Sequence, residues 1–283
     1  MSLLFDRGPE MDAAEFRRIS ECIRNHCGLS FDQGSKFVIE RRLRPRLEAL
    51  GLDRFADYHA RLQGSGAATE LDRAVELLVT NETYFFREAY QLRAFEEEIL
   101  PLVAERNAAS KRISIWSAGC STGEEVYSLA IIIRAMERFA DWDVRVFGSD
   151  ISRRVLRHAR RGVYGPSSFR TMQPRFDHFF RTTTGGREVI PEIRSLCHFG
   201  RVNLTQREES AIVGAVDAIF CRNVLIYFDD EIRTKVVKTL YERLVPGGYL
   251  MLGHSESLFR GITDFELVHL SSDLVYQRPS LSR

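Results

Sequence analysis

The thirteen residues Ile113-Ser114-Ile115-Trp116-Ser117-Ala118-Gly119-Cys120-Ser121-Thr122-Gly123-Glu124-Glu125 constrain this chain more than any other stretch. Residues 113–117 read as a buried strand, the small residues after them as a tight turn, and the two glutamates as the acidic first turn of a helix. Strand, turn and helix in this order are the unit of open α/β sheets. Glycine and serine in the turn let the backbone approach a nucleotide-like ligand. The spacing is not Gly-x-Gly-x-x-Gly, and two glutamates stand where a pyrophosphate needs a bare, positive helix start. A ligand carrying positive charge fits better than one carrying two phosphates.

The texture of the chain changes once, near Arg112. Before it the apolar spacing is helical. Asp12 is placed to cap a helix holding Phe16, Ile19 and Ile23. Phe37, Leu43, Leu47 and Leu50 mark one side of a second helix that Gly51 stops, and residues 53–62 and 71–79 make two more. A linker helix over 90–104 carries Leu92, Phe95, Ile99 and Leu102. After Arg112 strands at 113–117, 144–149, 217–221 and 249–253 alternate with helices at 124–139, 152–161 and 230–245. Residues 265–270 and 274–277 close the chain as an antiparallel hairpin. Two β-rich runs about Gly185-Gly186, within residues 179–198, form a small β insertion.

The fold class expected is α/β: a class I, Rossmann-like sheet with a terminal antiparallel hairpin, behind an all-helical domain. That hairpin is the habit of methyltransferases rather than dehydrogenases, by fold-level analogy. S-adenosylmethionine, with its ammonium and sulfonium, is then the ligand that suits the acidic helix start. The domains divide as 1–80, helical; 81–111, linker and lid; and 112–283, the sheet domain with its insertion at about 170–200.

Composition narrows the partners. A net charge of +1 supplies no global field toward nucleic acid or membrane. The longest apolar run, residues 129–133, cannot span a bilayer, and the first residues lack the charged-then-apolar order of a signal peptide. Five cysteines without Cys-x-x-Cys spacing read as reduced thiols of a cytoplasmic protein. Cys22, His26 and Cys27 lack a fourth metal ligand and read as packing, so no metal is expected.

Several residues are candidates for chemistry. Asp150 closes the second strand of the sheet, where a carboxylate accepts from a ribose diol or caps the helix that follows. Arg222-Asn223 follow an apolar strand at the carboxyl edge of the sheet, as ligand contacts or as a loop ion pair. Tyr227 either donates at a reaction centre or packs. Asn81-Glu82-Thr83-Tyr84-Phe85-Phe86-Arg87-Glu88 reads as a lid segment or as a buried helix start capped by Asn81.

That last segment, together with Trp116 to Glu125, Phe220-Cys221-Arg222-Asn223-Val224-Leu225-Ile226-Tyr227-Phe228 and Leu252-Gly253-His254-Ser255-Glu256-Ser257, resembles the signature blocks of the chemotaxis receptor methyltransferase (CheR) family. The blocks stand in the family's order and cover nearly the whole chain. The resemblance implies a protein-glutamate O-methyltransferase. Such an enzyme moves a methyl group from S-adenosylmethionine to glutamates on the cytoplasmic helices of chemoreceptors, leaving S-adenosylhomocysteine. It also implies a cytoplasmic monomer recruited to membrane receptor clusters.

By the same resemblance Asn81, Thr83 and Arg87 reach over the cofactor. Glu125, before Glu124, faces the methionine ammonium. Asp150 holds the ribose, Asn203 and Leu204 lie beside the adenine, Arg222 and Asn223 complete the pocket, and Tyr227 stands near the transferring methyl. Catalytic roles fall on Arg87 and Tyr227. An acidic receptor helix calls for a basic surface, and Lys36, Arg41, Arg42, Arg44 and Arg46 cluster in the second helix. Some family members bind a receptor tail peptide by edge pairing to the β insertion. The short loop over residues 182–187 suits a peptide-independent enzyme. A nicotinamide oxidoreductase lacks its glycine motif here. A methyltransferase for small carboxylic acids would not need the helical domain, and a non-catalytic adaptor would not need Arg87, Asp150 and Arg222-Asn223.

Overall fold

In the computed structural model, which describes residues 8–258 and 263–280, Asp12 opens the first helix as its spacing predicts. Its carboxylate accepts from Ala14 N and Glu15 N, both at 2.7 Å, and Glu15 returns the favour to Asp12 N at 2.8 Å. This helix, α1 (Ala13–Cys27), buries Phe16, Ile19 and Ile23. Helices α2 (Lys36–Leu50), α3 (Phe55–Gln63) and α4 (Ala67–Leu78) pack with it. Along α2 the buried stripe is Ile39, Leu43 and Leu47, at i, i+4, i+8. Phe37, expected on that side, is 64% exposed because Ile39 occupies its place in the stripe.

Two units result. One holds the residues up to Thr80 with Tyr227–Ile232; the other holds Asn81–Ile226 and the residues from Arg233 on. The late segment is tied into the first unit by Ser30 N donating to the Tyr227 carbonyl at 2.9 Å. Arg24 Nε and Ser30 Oγ donate to the Asp229 carboxylate at 2.6 and 3.2 Å.

The second unit begins with α5 (Ala89–Ala94) and α6 (Leu100–Arg106), joined by one wide π turn at Phe95–Ile99. Leu92, Phe95 and Ile99 are buried as expected, but Leu102 is 48% exposed. The wide turn adds a residue and rotates the face that follows it, so Leu100 and Val103 point inward instead. Then come β1 (Arg112–Ala118), α7 (Glu124–Ala135), β2 (Asp143–Asp150), α8 (Arg153–Arg161), β3 (Val163–Tyr164), β4 (Phe180–Thr183), β5 (Gly186–Val189), α9 (Pro191–Arg194), β6 (Cys197–Arg201), β7 (Val216–Cys221), α10 (Asp230–Arg243), β8 (Leu244–Leu252), β9 (Glu266–His269) and β10 (Leu274–Gln277).

The main sheet has the order β6-β2-β1-β7-β8-β10-β9, parallel from β6 to β8 and antiparallel at its last two strands. This is the class I arrangement with its closing hairpin. β7 is buried at every position, as a central parallel strand must be. Residues 197–201, read with the insertion, instead form the edge strand β6 of the main sheet. The insertion sheet is β3-β5-β4, and only Thr184 and Gly185 connect β4 to β5. The helix expected to reach residue 245 stops at Arg243, and β8 carries Pro246-Gly247-Gly248 inside it. A register shift opposite Val216 accommodates the proline.

Candidate active site

The glycine turn folds back over the carboxyl end of β2. Gly119 N and Cys120 N both donate to the Ser149 carbonyl at 2.8 Å. Gly119 has φ +80, and a Cβ there would overlap Val224 Cγ2 on the loop after β7. Gly123, φ +94, caps α7, and its added Cβ would meet Ala159 Cβ at 2.7 Å. Only glycine serves at both places.

Asp150 lies under this turn, 9% exposed. Its Oδ2 accepts from Ser121 N and its Oδ1 from Ser152 N, both at 2.9 Å. Burial pushes its carboxyl up from the ordinary 3.8, against the opposite pull of these N–H groups. Ser152 is the cap of α8, its Oγ accepting from Val155 N at 3.4 Å. The Ile151 N–H pulls on the Asp150 carboxyl the same way as those of Ser121 and Ser152, and a carboxylate's roughly four lone-pair sites leave room beside three backbone donors for a hydroxyl.

The two glutamates face different neighbours. Glu124, 2% exposed, accepts from Thr122 Oγ1 at 2.6 Å and Ser168 Oγ at 2.9 Å, which pins the turn from outside the sheet. Glu125 accepts from Ser117 Oγ on β1 and from Arg222 Nε after β7, both at 2.7 Å. The Arg222 side chain is 3% exposed. Its Nη1 donates to the Gln91 side-chain oxygen and the Arg87 carbonyl, both at 3.0 Å, and reaches Glu88 Oε2 at 3.5 Å. A buried guanidinium is tolerated when its donors are this well used. Arg222 thereby ties α7, α5 and the 81–88 segment to the end of β7.

The 81–88 segment is not a helix start: helix begins at Ala89. Phe85 and Phe86 are buried, Phe85 stacked on Phe169 at 5.0 Å and Phe86 on Phe176 at 4.6 Å. Phe86 and Glu88 both take φ +57, a conformation that costs side-chain-bearing residues energy and persists only when the surroundings impose it. The Asn81 carbonyl accepts from Ser121 Oγ at 3.1 Å, so the segment touches the glycine turn. Thr83 is half-buried. Arg87 is held more loosely, by one bond to the Glu82 carbonyl at 3.0 Å and a 3.8 Å ion pair to Glu88.

Asn203 and Leu204 follow β6, both buried. Asn203 Oδ1 accepts from Thr205 N at 3.1 Å and Thr205 Oγ1 at 2.8 Å, and Val202 N donates to the Asp150 carbonyl at 3.3 Å. This chain of bonds fixes Asn203-Leu204 beside the end of β2. Tyr227 falls in the helical unit, half-buried.

Two residues that sequence reasoning gave no role organise the site. Glu256 collects four backbone donors: Asn223 N and Gly253 N at 2.7 Å on Oε2, Val224 N at 2.9 Å and Ile226 N at 3.2 Å on Oε1. Asn223 has φ +59, and Glu256 holds it there. Gln91, 2% exposed, donates to the Leu252 carbonyl at 2.8 Å and to Asp273 at 2.9 Å while accepting from Arg222. The thiols of Cys120 and Cys221 are buried and pushed well above their ordinary range by burial, so neither offers a thiolate.

The basic cluster expected on α2 is largely consumed inside its own unit. Arg46 forms two bonds to Glu70 at 2.6 and 2.7 Å. Arg44 pairs with Glu40 at 2.5 Å, Arg42 donates to the Leu78 carbonyl at 2.6 Å, and Lys36 donates to the Met11 carbonyl. Arg41 alone of the five points outward, over the exposed ring of Phe37.

Comparison with known proteins follows the same division. The family model "CheR methyltransferase, all-alpha domain" matches residues 14–79, and "CheR methyltransferase, SAM binding domain" matches residues 81–273. The chain is 34% identical over 268 residues to chemotaxis protein methyltransferase 2 of Vibrio cholerae serotype O1, covering 94% of this chain and 93% of that one. It is 36% identical over 259 residues to the chemotaxis protein methyltransferase of Salmonella typhimurium, covering 90% and 87%. With the Borreliella burgdorferi chemotaxis protein methyltransferase it shares 32% over 261 residues, covering 90% and 91%.

Proposed function

The chain belongs to the CheR methyltransferase family, and from that premise we propose how its residues carry the reaction. It is an S-adenosylmethionine-dependent protein-glutamate O-methyltransferase acting on chemoreceptors. No helix among the described residues is long and apolar enough to cross a membrane. We place the enzyme in the cytoplasm, as a monomer, beside the receptors' cytoplasmic helices.

The observation that carries the residue assignments is the buried Asp150 carboxylate under a turn that only glycine can form. Its remaining acceptor capacity suits a ribose hydroxyl. Glu125, at the meeting of β1 and β7, is the glutamate we assign to the methionine ammonium; Glu124 is occupied outside that junction. Asn203 and Leu204 border the adenine, Asn81 and Thr83 approach over the turn, and Arg222 with Asn223 forms the wall below. When bound, S-adenosylmethionine supplies a methyl group activated by positive sulfur.

The acceptor glutamate is already ionised at neutral pH, its ordinary pKa being about 4.3. No general base is required, and the work left to the protein is orientation in a site shielded from water. Arg87, the most loosely held guanidinium of the site, either orients the incoming carboxylate or holds the carboxylate of the cofactor. Tyr227 is assigned to the neighbourhood of the transferring methyl on family resemblance.

Radiolabelled methyl transfer to a soluble receptor fragment tests the reading. A base-labile product identifies the ester, and a base-stable product or no transfer sinks it. Arg87→Ala should cut transfer strongly, and wild-type turnover in that variant removes Arg87 from the site. Calorimetry then separates its two roles: loss of S-adenosylhomocysteine affinity marks a cofactor contact, and intact affinity with lost turnover marks an acceptor contact.

A further inference from the structure

Helix α8 carries a charge pattern that the cofactor site does not use. Arg153, Arg154, Arg157, Arg160 and Arg161 are all exposed, while Val155, Leu156 and Ala159 face the sheet. At about 100° per residue the five guanidinium stems fall within an arc of about 120°. Arg153, Arg157 and Arg161 line up at i, i+4, i+8, so their repulsion works against the helix, and Arg153 and Arg154 oppose its dipole as well.

Arg153, Arg157, Arg160 and Arg161 gain little in return. Arg160 donates to the Phe199 carbonyl at 2.7 Å and Arg161 meets His158 Nδ1 at 3.4 Å. Among the described residues no ion pair neutralises Arg153 or Arg157. This contrasts with α2, where four of five cations are spent on internal partners.

We infer that the arginine stripe of α8 is a docking surface for an acidic helix of the receptor. The inference rests on the functional reading above and names the surface that reading lacks. Cations four residues apart on α8 rise about 6 Å along its axis, the same interval at which carboxylates recur on one face of a partner helix. Guanidinium forks bind carboxylates bidentately, which sets register as well as attraction. The exposed face has no apolar side chain to enter a bilayer, so an acidic protein surface is favoured over lipid. The stripe begins three residues after Asp150, and a receptor helix docked on it is brought to the ribose edge of the sheet.

The test is the triple charge reversal Arg153→Glu/Arg157→Glu/Arg161→Glu in the full chain, with Arg153→Gln/Arg157→Gln as a milder second variant. The expected result is a KM for a soluble receptor fragment raised roughly tenfold or more, with a flatter dependence on salt, while kcat and the S-adenosylhomocysteine Kd stay within about twofold. An unmoved KM in a wild-type-active background overturns the surface and leaves the functional reading standing. Wild-type protein that neither binds nor methylates the fragment takes down both. Loss of sedimentation with phosphatidylglycerol vesicles at an unchanged receptor KM overturns the inference in favour of lipid.

Discussion

Glu256→Gln tests whether one carboxylate holds the cofactor wall. Glu256 joins the loops that leave β7 and β8 through Asn223 N, Val224 N, Ile226 N and Gly253 N. The glutamine keeps the shape but has one acceptor oxygen, and its NH2 faces two of the four donors. If its oxygen serves Asn223 and Gly253, Val224 N loses its partner, while the exposed Ile226 N turns to water. A part-buried donor left unsatisfied costs about 1–3 kcal/mol, and the surviving bonds lose about half their strength with the charge. The clamp should therefore weaken by about 2–4 kcal/mol. At about 1.4 kcal/mol per decade, that opens the loop roughly a hundredfold more often. Asn223, released from φ +59, relaxes and carries Arg222 away from Glu125. Deuterium exchange at residues 223–226 and 253 should then accelerate about a hundredfold. S-adenosylhomocysteine affinity should fall at least roughly tenfold, and exchange in α1 to α4 should not change. Wild-type exchange in this loop refutes the clamp. Fast exchange with intact affinity refutes the link from clamp to cofactor.

Three further perturbations address other parts of the chain. Gly119→Ala should weaken cofactor affinity, because the new methyl meets Val224; Val224→Ala in the same chain should restore part of it, and strict additivity of the two in calorimetry would refute that contact. Asp150 has a folded pKa raised above 3.8 by burial, so its contribution to stability falls as pH rises from 3.8 through the folded value. Cofactor affinity should fall as acid protonates Asp150, with a midpoint above 3.8, and the same profile in Asp150→Asn would refute the assignment. Arg46→Ala should destabilise the helical unit by about 3–5 kcal/mol, since it strips a buried Glu70 of its two shortest bonds. Burial raises the Glu70 carboxyl, but Arg46 and Tyr58 outweigh it and hold it below 4.5. The pairing thus contributes fully above 4.5 and is lost as pH falls through the lowered value; wild-type melting by circular dichroism at neutral pH would refute it.

What the sequence disclosed depended on how local each requirement was. The strand, glycine turn and acidic helix start are contiguous, and each element states its own need, so their geometry was legible. The closing hairpin was legible for the same reason. β3 was not: it has two residues and pairs with β5 across an intervening stretch of irregular chain, leaving no periodic signal. The partner of Arg44 stands four residues away on one helix face, within reach of sequence reasoning, whereas that of Arg46 is on another helix. Gln91 did leave a trace, as a polar residue beside the buried stripe of Leu92, Phe95 and Ile99. Glu256 showed only its place in the 252–257 block and nothing of its duty, because its function is the meeting of two loops about thirty residues apart.

The paired glutamates show why a residue's type can be legible while its duty is not. Both satisfy the positive end of α7, so either explains an acidic helix start. Their neighbours divide them. Glu124 is surrounded by hydroxyls that only need an acceptor, and its charge ends there. Glu125 shares the Arg222 guanidinium with Glu88, two carboxylates reaching toward one buried cation at 2.7 and 3.5 Å. Arg87 adds a second cation 3.8 Å from Glu88, so the junction is balanced; in the proposed reading an ammonium there meets the Glu125 carboxylate, whereas a phosphate meets like charge. In that reading Glu125, paired with a guanidinium placed ninety-seven residues further along the chain, is the half of the pair that favours a cationic cofactor, while Glu124 secures the turn.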